Sequence, residues 1–283
     1  MTVLITGGKG KTASRLAHLL KDGNKPFLVA SRSGGDPTDE FPSCRFDWLD
    51  ATTYAIPWSK AEEITSVYLV PPLVLDMVPP MKAFIDYCRE KRVKRFVLLS
   101  ASVVESGGPA AGKVHEYLAR VGVDYCVLRP TWFMENFSEL HRKPIKPEDK
   151  IYSATGDGKV PFVSAEDIAA VAFRALVDPQ SHNTDHFIRG PEPLSYDEVA
   201  EILTGILGRK ITHVKLTQPE IAKFFTEVSA TGMPKEYADM LALMDVQIAK
   251  GVEETLDDTV LRITGRPPIQ FSTFAKSVRH VWE

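Results

Sequence analysis

Cysteine is scarce in this chain and follows no pattern. Cys44, Cys88 and Cys126 are the three among 283 residues. With no C-x-x-C and no metal-ligand spacing, neither a disulfide framework nor a metal centre is expected. An odd number of scattered thiols suits a reducing compartment, so the expected location is cytoplasmic. A surplus of one charge is also missing: 34 Lys and Arg stand against 37 Asp and Glu, which gives a nucleic acid no electrostatic reason to bind. The densest basic run, "REKRVKR" (89–95), alternates in sign and leads into an apolar strand, as a solvated helix end does. Long apolar runs are absent too. The richest, "SVYLVPPLVLDMVPPM" (66–81), is cut by four prolines and an aspartate, and the first apolar run stops at Gly7 with no basic region before it. Neither a membrane span nor a signal peptide is therefore expected. No repeat or low-complexity stretch is visible.

What is present is an ordinary globular composition, 44% hydrophobic and 25% charged, enough for one large core or a large and a smaller lobe. "TVLIT" (2–6) reads as a strand ending in glycines. "KTASRLAHLLKDG" (11–23) then takes helical spacing, with Ala13, Leu16, Ala17, Leu19 and Leu20 as its apolar stripe. "PFLVAS" (26–31), "CRFDW" (44–48), "SVYLV" (66–70), "RFVLLS" (95–100) and "DYCVLR" (124–129) repeat the strand signal, with helical segments at 76–91 and 113–122. Strands apolar throughout, alternating with helices, imply a parallel sheet covered on both faces, a doubly wound α/β domain with its ligand at the carboxyl ends of the strands. After residue 140 comes a polar, proline-bearing stretch (141–150), then two short strands, "KIYSAT" and "KVPFVS", around "GDG" (156–158), then mostly helices. The expected division is a nucleotide-binding domain over 1–140 and a smaller, mostly helical substrate lobe over 141–283, with strands returning to the main domain.

"ITGGKGKT" (5–12) admits two readings. Its end, Gly10-Lys11-Thr12, is also how a triphosphate-binding loop ends, but that loop needs a glycine five residues before Gly10, where Ile5 stands. The spacing Gly7-x-x-Gly10-x-x-Ala13 fits the dinucleotide turn instead. Glycines allow the tight turn and the close approach of backbone to pyrophosphate, the small third residue lets helix and strand pack, and the helix N-terminus offers amides. At the end of the second strand an NAD site wants a carboxylate for the ribose 2′-hydroxyl. Here stand Ser31 and Arg32, with no acid before Asp36. A guanidinium beside a hydroxyl suits a 2′-phosphate, so the expected cofactor is NADP(H).

With "ITGGKGKTA", "SRS", "FDWLD", "VLLSAS", "VLRPTWFMENF" and "VPFVSAEDIA" on the page, the chain resembles the NmrA-like branch of atypical short-chain dehydrogenases. Within that branch it resembles the fungal ergot-alkaloid dehydrogenases of the agroclavine and festuclavine type. The resemblance implies a Rossmann domain in which Thr6, Gly7, Gly8, Gly10, Lys11 and Thr12 meet the cofactor's phosphates. Asp47 and Trp48 would flank the adenine, Val70, Pro71 and Pro72 would pass along the cofactor, and Ser100, Ala101 and Ser102 would line the nicotinamide side. It also implies a substrate pocket over 132–137, with Trp132, Phe133, Met134 and Asn136 as contacts beside Ser102.

A standard short-chain dehydrogenase protonates its product from a tyrosine with a lysine four residues on, after the strand that ends in "LLSAS". Residues 100–116 contain no tyrosine, Tyr117 is followed four on by Val121, and the one Tyr-x-x-x-Lys, Tyr87 to Lys91, precedes that strand. A ketone or aldehyde reductase needs such an acid because it makes an alkoxide. An iminium reductase does not, because adding hydride to C=N⁺ gives a neutral amine directly. Glu105, Lys113 and His115 are the titratable residues in the vacated stretch. His115 reads as a proton donor, Lys113 as a ribose contact or a solvated residue, and Glu105 as the partner of an iminium or a plain loop acid. Lys113 and His115, two apart on a helix, should diverge. The expected function is NADPH-dependent reduction of an iminium or imine in fungal indole-alkaloid biosynthesis. The alternatives are a bifunctional reductase and Diels–Alder cyclase of a prenylated indole alkaloid, and a non-catalytic NADP-binding redox sensor.

Overall fold

The computed structural model describes residues 1–36, 38–228 and 232–283. The chain divides into two compact units. The first comprises residues 1–72, 76–129 and 165–187, and the second comprises 73–75, 130–164 and 188–283. The expected break at 140 therefore falls ten residues earlier. Helix 165–177 and the strand after it return to the first unit, because the apolar face of "AEDIAAVAFRAL" is long enough to cover a sheet.

The strands are β1 (Thr2–Thr6), β2 (Phe27–Ser31), β3 (Ser43–Arg45), β4 (Ile64–Leu69), β5 (Arg95–Leu99), β6 (Asp124–Pro130), β7 (Lys150–Ser153), β8 (Thr184–Ile188) and β9 (Thr212–Lys215). Among the described residues, seven of them form one sheet in the order β3-β2-β1-β4-β5-β6-β8, parallel across β3 to β6. Chain direction across the sheet reverses between β1 and β4, the switch point where doubly wound sheets open a crevice at their carboxyl ends. Leu4, Ile5, Val67, Leu69, Val97, Leu98, Val127 and Leu128 are fully buried, as a sheet covered on both faces requires.

In the first unit, α1 (Lys11–Asp22), α2 (Ile56–Lys60), α3 (Val78–Glu90) and α4 (Ala111–Arg120) follow successive strands. In the second come α5 (Glu135–Ser138) and α6 (Arg142–Glu148), while α7 (Ala165–Val177) belongs to the first. α6 forms over the stretch that reads as a polar linker, with Pro144 and Ile145 buried. "KVPFVS", expected as a strand, makes only isolated bridges, Val160 to Leu194 and Val163 to Phe133. β7 pairs instead with β9, parallel, from "THVK". β8, from "TDHFI", gives no strand signal in sequence because two of its five residues are Asp185 and His186.

The second unit continues through α8 (Tyr196–Leu207), α9 (Gln218–Val228), α10 (Lys235–Ile248), α11 (Thr259–Thr264) and α12 (Phe271–Ser277). Ser195 and Glu198 close a capping box on α8, which satisfies two helix-end amides reciprocally. Phe137, Phe162, Phe271 and Trp282 lie at the centre of the core. Beside it Asp245 is buried: one carboxylate oxygen accepts from Ala154 N at 3.0 Å and the other has no hydrogen-bond partner. Burial pushes its carboxyl up to about 7. No helix among the described residues is long and apolar enough to cross a membrane.

A carboxyl raised in the folded state holds a proton that the unfolded chain has released, so its stability contribution is lost as pH rises from about 4 through 7. Asp245→Asn keeps an acceptor for Ala154 without the charge. It is expected to stabilise the chain by a few kcal/mol at pH 8, roughly the linkage value of the shift, and by only about 1–2 kcal/mol at pH 5, where the first part of the loss has already occurred. Denaturant titration at the two pH values measures it, and an effect independent of pH would show that Asp245 is ionised throughout.

Candidate active site

The turn after β1 is held by the absence of side chains. Gly7 has φ +69°, and a Cβ there would lie 2.8 Å from that of Val70, just beyond β4. At Gly8 a Cβ would fall 2.1 Å from Val29 Cγ1, inside any contact distance. Gly10 N donates to Gly7 O at 2.7 Å and closes the turn. α1 begins at Gly10 with no side-chain cap and no acid in its first turn. Its first amides and the positive end of its dipole are therefore left for an anion. The turn and Val70 thus meet at the switch point, where an extended diphosphate can lie against backbone.

Several residues expected to touch the cofactor are turned inward. Thr6 Oγ1 donates to Tyr68 O at 2.9 Å and accepts from Val70 N at 2.8 Å, fastening the ends of β1 and β4. Thr12 is buried and accepts from the Tyr68 hydroxyl at 3.0 Å. Trp48 is 7% exposed and packs against Phe46 and Phe84. Its indole N–H donates to Val70 O at 3.1 Å. The side chains of these three are engaged inside the protein, where they hold the backbone at Thr6, Thr12 and Val70 in place. Asp47 Oδ1 accepts from Leu49 N. Lys11, Pro71 and Pro72 are half-buried, Ser31 is half-buried at the end of β2, and Arg32 beside it is exposed.

At the end of β5, Ser100 N donates to Leu128 O, while Ser100 Oγ is buried without a hydrogen-bond partner. Ala101 is half-buried and Ser102 buried. The next residues are governed by Arg129, which the sequence reading passed over inside "YCVLRP". Its guanidinium is 4% exposed. Nη1 donates to Asp185 Oδ2 at 2.8 Å, Nη2 donates to Ser102 O at 2.7 Å and to Glu105 Oε1, and the group lies 4.2 Å from the centroid of the Phe187 ring. Against the cost of burial, Arg129 holds the Asp185 carboxyl below its ordinary range. A cation in an apolar strand should itself have been the signal, since burying it demands partners of opposite charge.

This network places the three titratable candidates. Glu105 hydrogen-bonds Arg129, and because the same guanidinium also pairs with Asp185, the cluster of Arg129, Glu105 and Asp185 carries a net negative charge. His115 is buried on the inner side of α4, and Lys113 is exposed on the outer side, so the pair diverges as expected. Burial lowers the proton affinity of His115 below its usual value, with the Asp185 charge opposing. Tyr117 donates its hydroxyl to Asp86 on α3, and Lys91 lies over the ring of Tyr87. Neither tyrosine can serve as the missing acid.

In the second unit Trp132 and Phe133 are half-buried, and the Trp132 indole nitrogen is buried without a hydrogen-bond partner. Asn136 is half-buried. Met134, expected as a substrate contact, is fully enclosed in the core with Phe137 and Phe162; the correction follows from the tight turn into α5, which points it inward.

A family model described as "NmrA-like family" matches residues 111–262. Over its whole length the chain is 50% identical to festuclavine synthase II of Penicillium roqueforti, covering all of that protein. The chain belongs to the NmrA-like family. Agroclavine dehydrogenase of Claviceps fusiformis is 49% identical over 100% of the chain and 99% of its own length. The triphenylmethane reductase of Citrobacter sp., solved with NADP(H), is 17% identical with a TM-score of 0.78, covering 98% of this chain and 100% of that one. At that identity the likeness shows the fold. It is the NmrA-like Rossmann fold, with the first β–turn–α unit built as described above.

Arg129→Met removes the buried cation and leaves Asp185 without its partner. The expected loss is roughly 2–3 kcal/mol of stability, below the full cost of breaking a buried pair because Asp185 is partly exposed. Denaturant unfolding measures it, and Asp185→Asn in the Met background should recover most of the loss.

Proposed function

We propose that this chain is an NADPH-dependent reductase of an iminium or imine, acting on an indole alkaloid. The observation that carries the reading is the state of the stretch after β5. In place of a tyrosine–lysine pair it has Glu105 hydrogen-bonded to Arg129, His115 made less basic by burial, and Tyr117 tied to Asp86. A site without a poised acid is suited to a product that needs no proton. The names of the full-length relatives, a festuclavine synthase and an agroclavine dehydrogenase, support an alkaloid as substrate.

The residues present fit the cofactor. Gly7, Gly8 and Gly10 leave a cradle that any Cβ would fill, α1 offers uncapped amides, and the buried Ser100 Oγ has a hydrogen bond to give at the nicotinamide end. Arg32 and Ser31 would hold the 2′-phosphate, the backbone at Val70–Pro72 would lie along the diphosphate and ribose, and Lys113 would reach the second ribose. When bound, NADPH supplies hydride to the carbon of the C=N⁺ bond. The chain's own part is to hold that carbon at reacting distance and to exclude water, which is sufficient where no alkoxide forms. Trp132 and Phe133 are the aromatic faces proposed for the indole and its cation.

Two measurements test the proposal. Consumption of NADPH should accompany a gain of two hydrogens by an indole iminium, and the matching aldehyde should react far more slowly. A bridged, cyclised product would add the cyclase activity, whereas tight NADPH binding without turnover on any iminium would point to a sensor and overturn the reductase. Arg32→Glu should cut NADPH affinity by roughly 10- to 100-fold, the worth of a charge-assisted hydrogen bond or two, and leave NADH affinity nearly unchanged. Equal losses for both cofactors would remove Arg32 from the 2′-phosphate site.

A further inference from the structure

Cys126, His182 and His186 form, among the described residues, a group of three whose ligand atoms all lie within 4.8 Å of one another. Cys126 is 1% exposed on β6. His186 is on β8, and His182 lies in the turn between α7 and β8. His182 Nδ1 is 3.9 Å from the Cys126 sulfur and 3.0 Å from His186 Nε2. The two imidazole planes are 79° apart, an edge-to-face arrangement and not a stack. Four-coordinate zinc places two imidazole nitrogens roughly 3.3 Å apart, and a nitrogen and a thiolate sulfur roughly 3.6 Å apart. The two distances from His182 Nδ1 reach those values with shifts of about 0.3 Å, and the Cys126–His186 separation, within 4.8 Å, must close by at most about 1.2 Å.

The far side of His182 completes the arrangement. Its Nε2 is 3.5 Å from Asp178 Oδ2 at the end of α7. A carboxylate on one ring nitrogen fixes the proton there and turns the other nitrogen outward as a ligand, the outer-shell pattern of histidine metal sites. The His182 side chain is 14% exposed, so water can reach a fourth position.

We propose that Cys126, His182 and His186 bind a zinc-class divalent ion, with water as the fourth ligand and Asp178 orienting His182. The sequence spacing hides this site, because one ligand is 56 residues from the next and only the β6–β8 pairing joins them. The site is separate from the proposed chemistry. Side chains alternate along a strand, and Cys126 and Arg129 are three apart on β6 while His186 and Asp185 are adjacent on β8. The Arg129–Asp185 pair therefore occupies one face of the sheet and the cysteine–histidine group the other.

Proton bookkeeping is definite. Burial raises the Cys126 thiol above its ordinary value, so it carries a proton until metal displaces it. With the His182 proton held on Nε2 by Asp178, the proton in the hydrogen bond between the two rings belongs to His186 Nε2 and moves to His186 Nδ1 when metal binds. One proton per ion is released to solvent.

The test uses tag-free full-length chain, stripped with a chelator and titrated with zinc against a colorimetric competitor. The expected result is one zinc per chain, a melting midpoint raised by zinc, and a cobalt(II) form with a near-ultraviolet thiolate-to-metal band. Cys126→Ala should abolish that band and tight binding. If it fails to fold, His186→Gln removes a ligand outside the buried core and should likewise abolish one-to-one binding without altering NADPH affinity. Asp178→Asn should weaken zinc by about 10- to 100-fold. Either no zinc binding, or binding that survives in folded Cys126→Ala or His186→Gln, overturns the proposal and leaves a hydrogen-bonded imidazole pair beside a buried thiol.

Discussion

A guanidinium buried at the carboxyl end of a central strand constrains everything around it. Removing Arg129 from water costs several kcal/mol unless every face of the group is matched. The fold offsets most of that cost with two carboxylates, a backbone carbonyl and an aromatic ring, drawn from two separate stretches, Ser102 and Glu105 after β5 and Asp185 and Phe187 on β8, and leaves Arg129 Nε without a hydrogen-bond partner. The loop after β5, where a short-chain dehydrogenase keeps its catalytic apparatus, is thereby fixed by a structural charge. Glu105 could not meet a substrate cation without leaving Arg129 short of one partner.

The crevice between β1 and β4 depends on a different constraint, that of space. Gly8 against Val29 and Gly7 against Val70 leave no room for a Cβ, so the turn's backbone packs directly on the two valine side chains. Around that turn the polar side chains work as fasteners. Thr6, Thr12, Tyr68 and Trp48 form a connected set of hydrogen bonds that ends on both the N–H and the carbonyl of Val70. A mobile Val70 would blur the cradle even with all three glycines intact.

Glycine spacing, strand alternation and the missing tyrosine were legible in the sequence because each is a local pattern with a local cause. The carboxyl-end turn, the order of β1 to β6 and the divergence of Lys113 from His115 follow from periods of two and 3.6 residues. What was illegible depends on pairing across distance. Thr6, Thr12 and Trp48 sit within family motifs, and a motif gives proximity to a ligand without saying which way a side chain turns. Arg129 lay in an apolar run and was read as its end. β8 gives no sequence signal because Asp185 and His186 break the apolar pattern, and they break it because Asp185 pairs with Arg129 on β6 and His186 with His182 in the turn before β8. The same two residues explain why residues 165–187 return to the first unit when sequence placed them beyond its boundary.

The lost acid has a consequence for what the rest of the site must do. An enzyme that donates a proton can tolerate some looseness, since the proton transfer itself commits the product. Without one, rate and selectivity rest on the placement of a single carbon against a fixed cofactor, and small displacements are costly. That demand explains why a chain without the tyrosine would keep so many rigid supports under the cofactor: the Thr6–Tyr68–Thr12 chain, the Trp48 clamp on Val70 and the Arg129 lock on residues 102–105. Each fixes backbone instead of presenting a reactive group. In this reading the chemistry has moved out of the side chains and into position, and the residues that matter most to rate are ones that never touch the substrate.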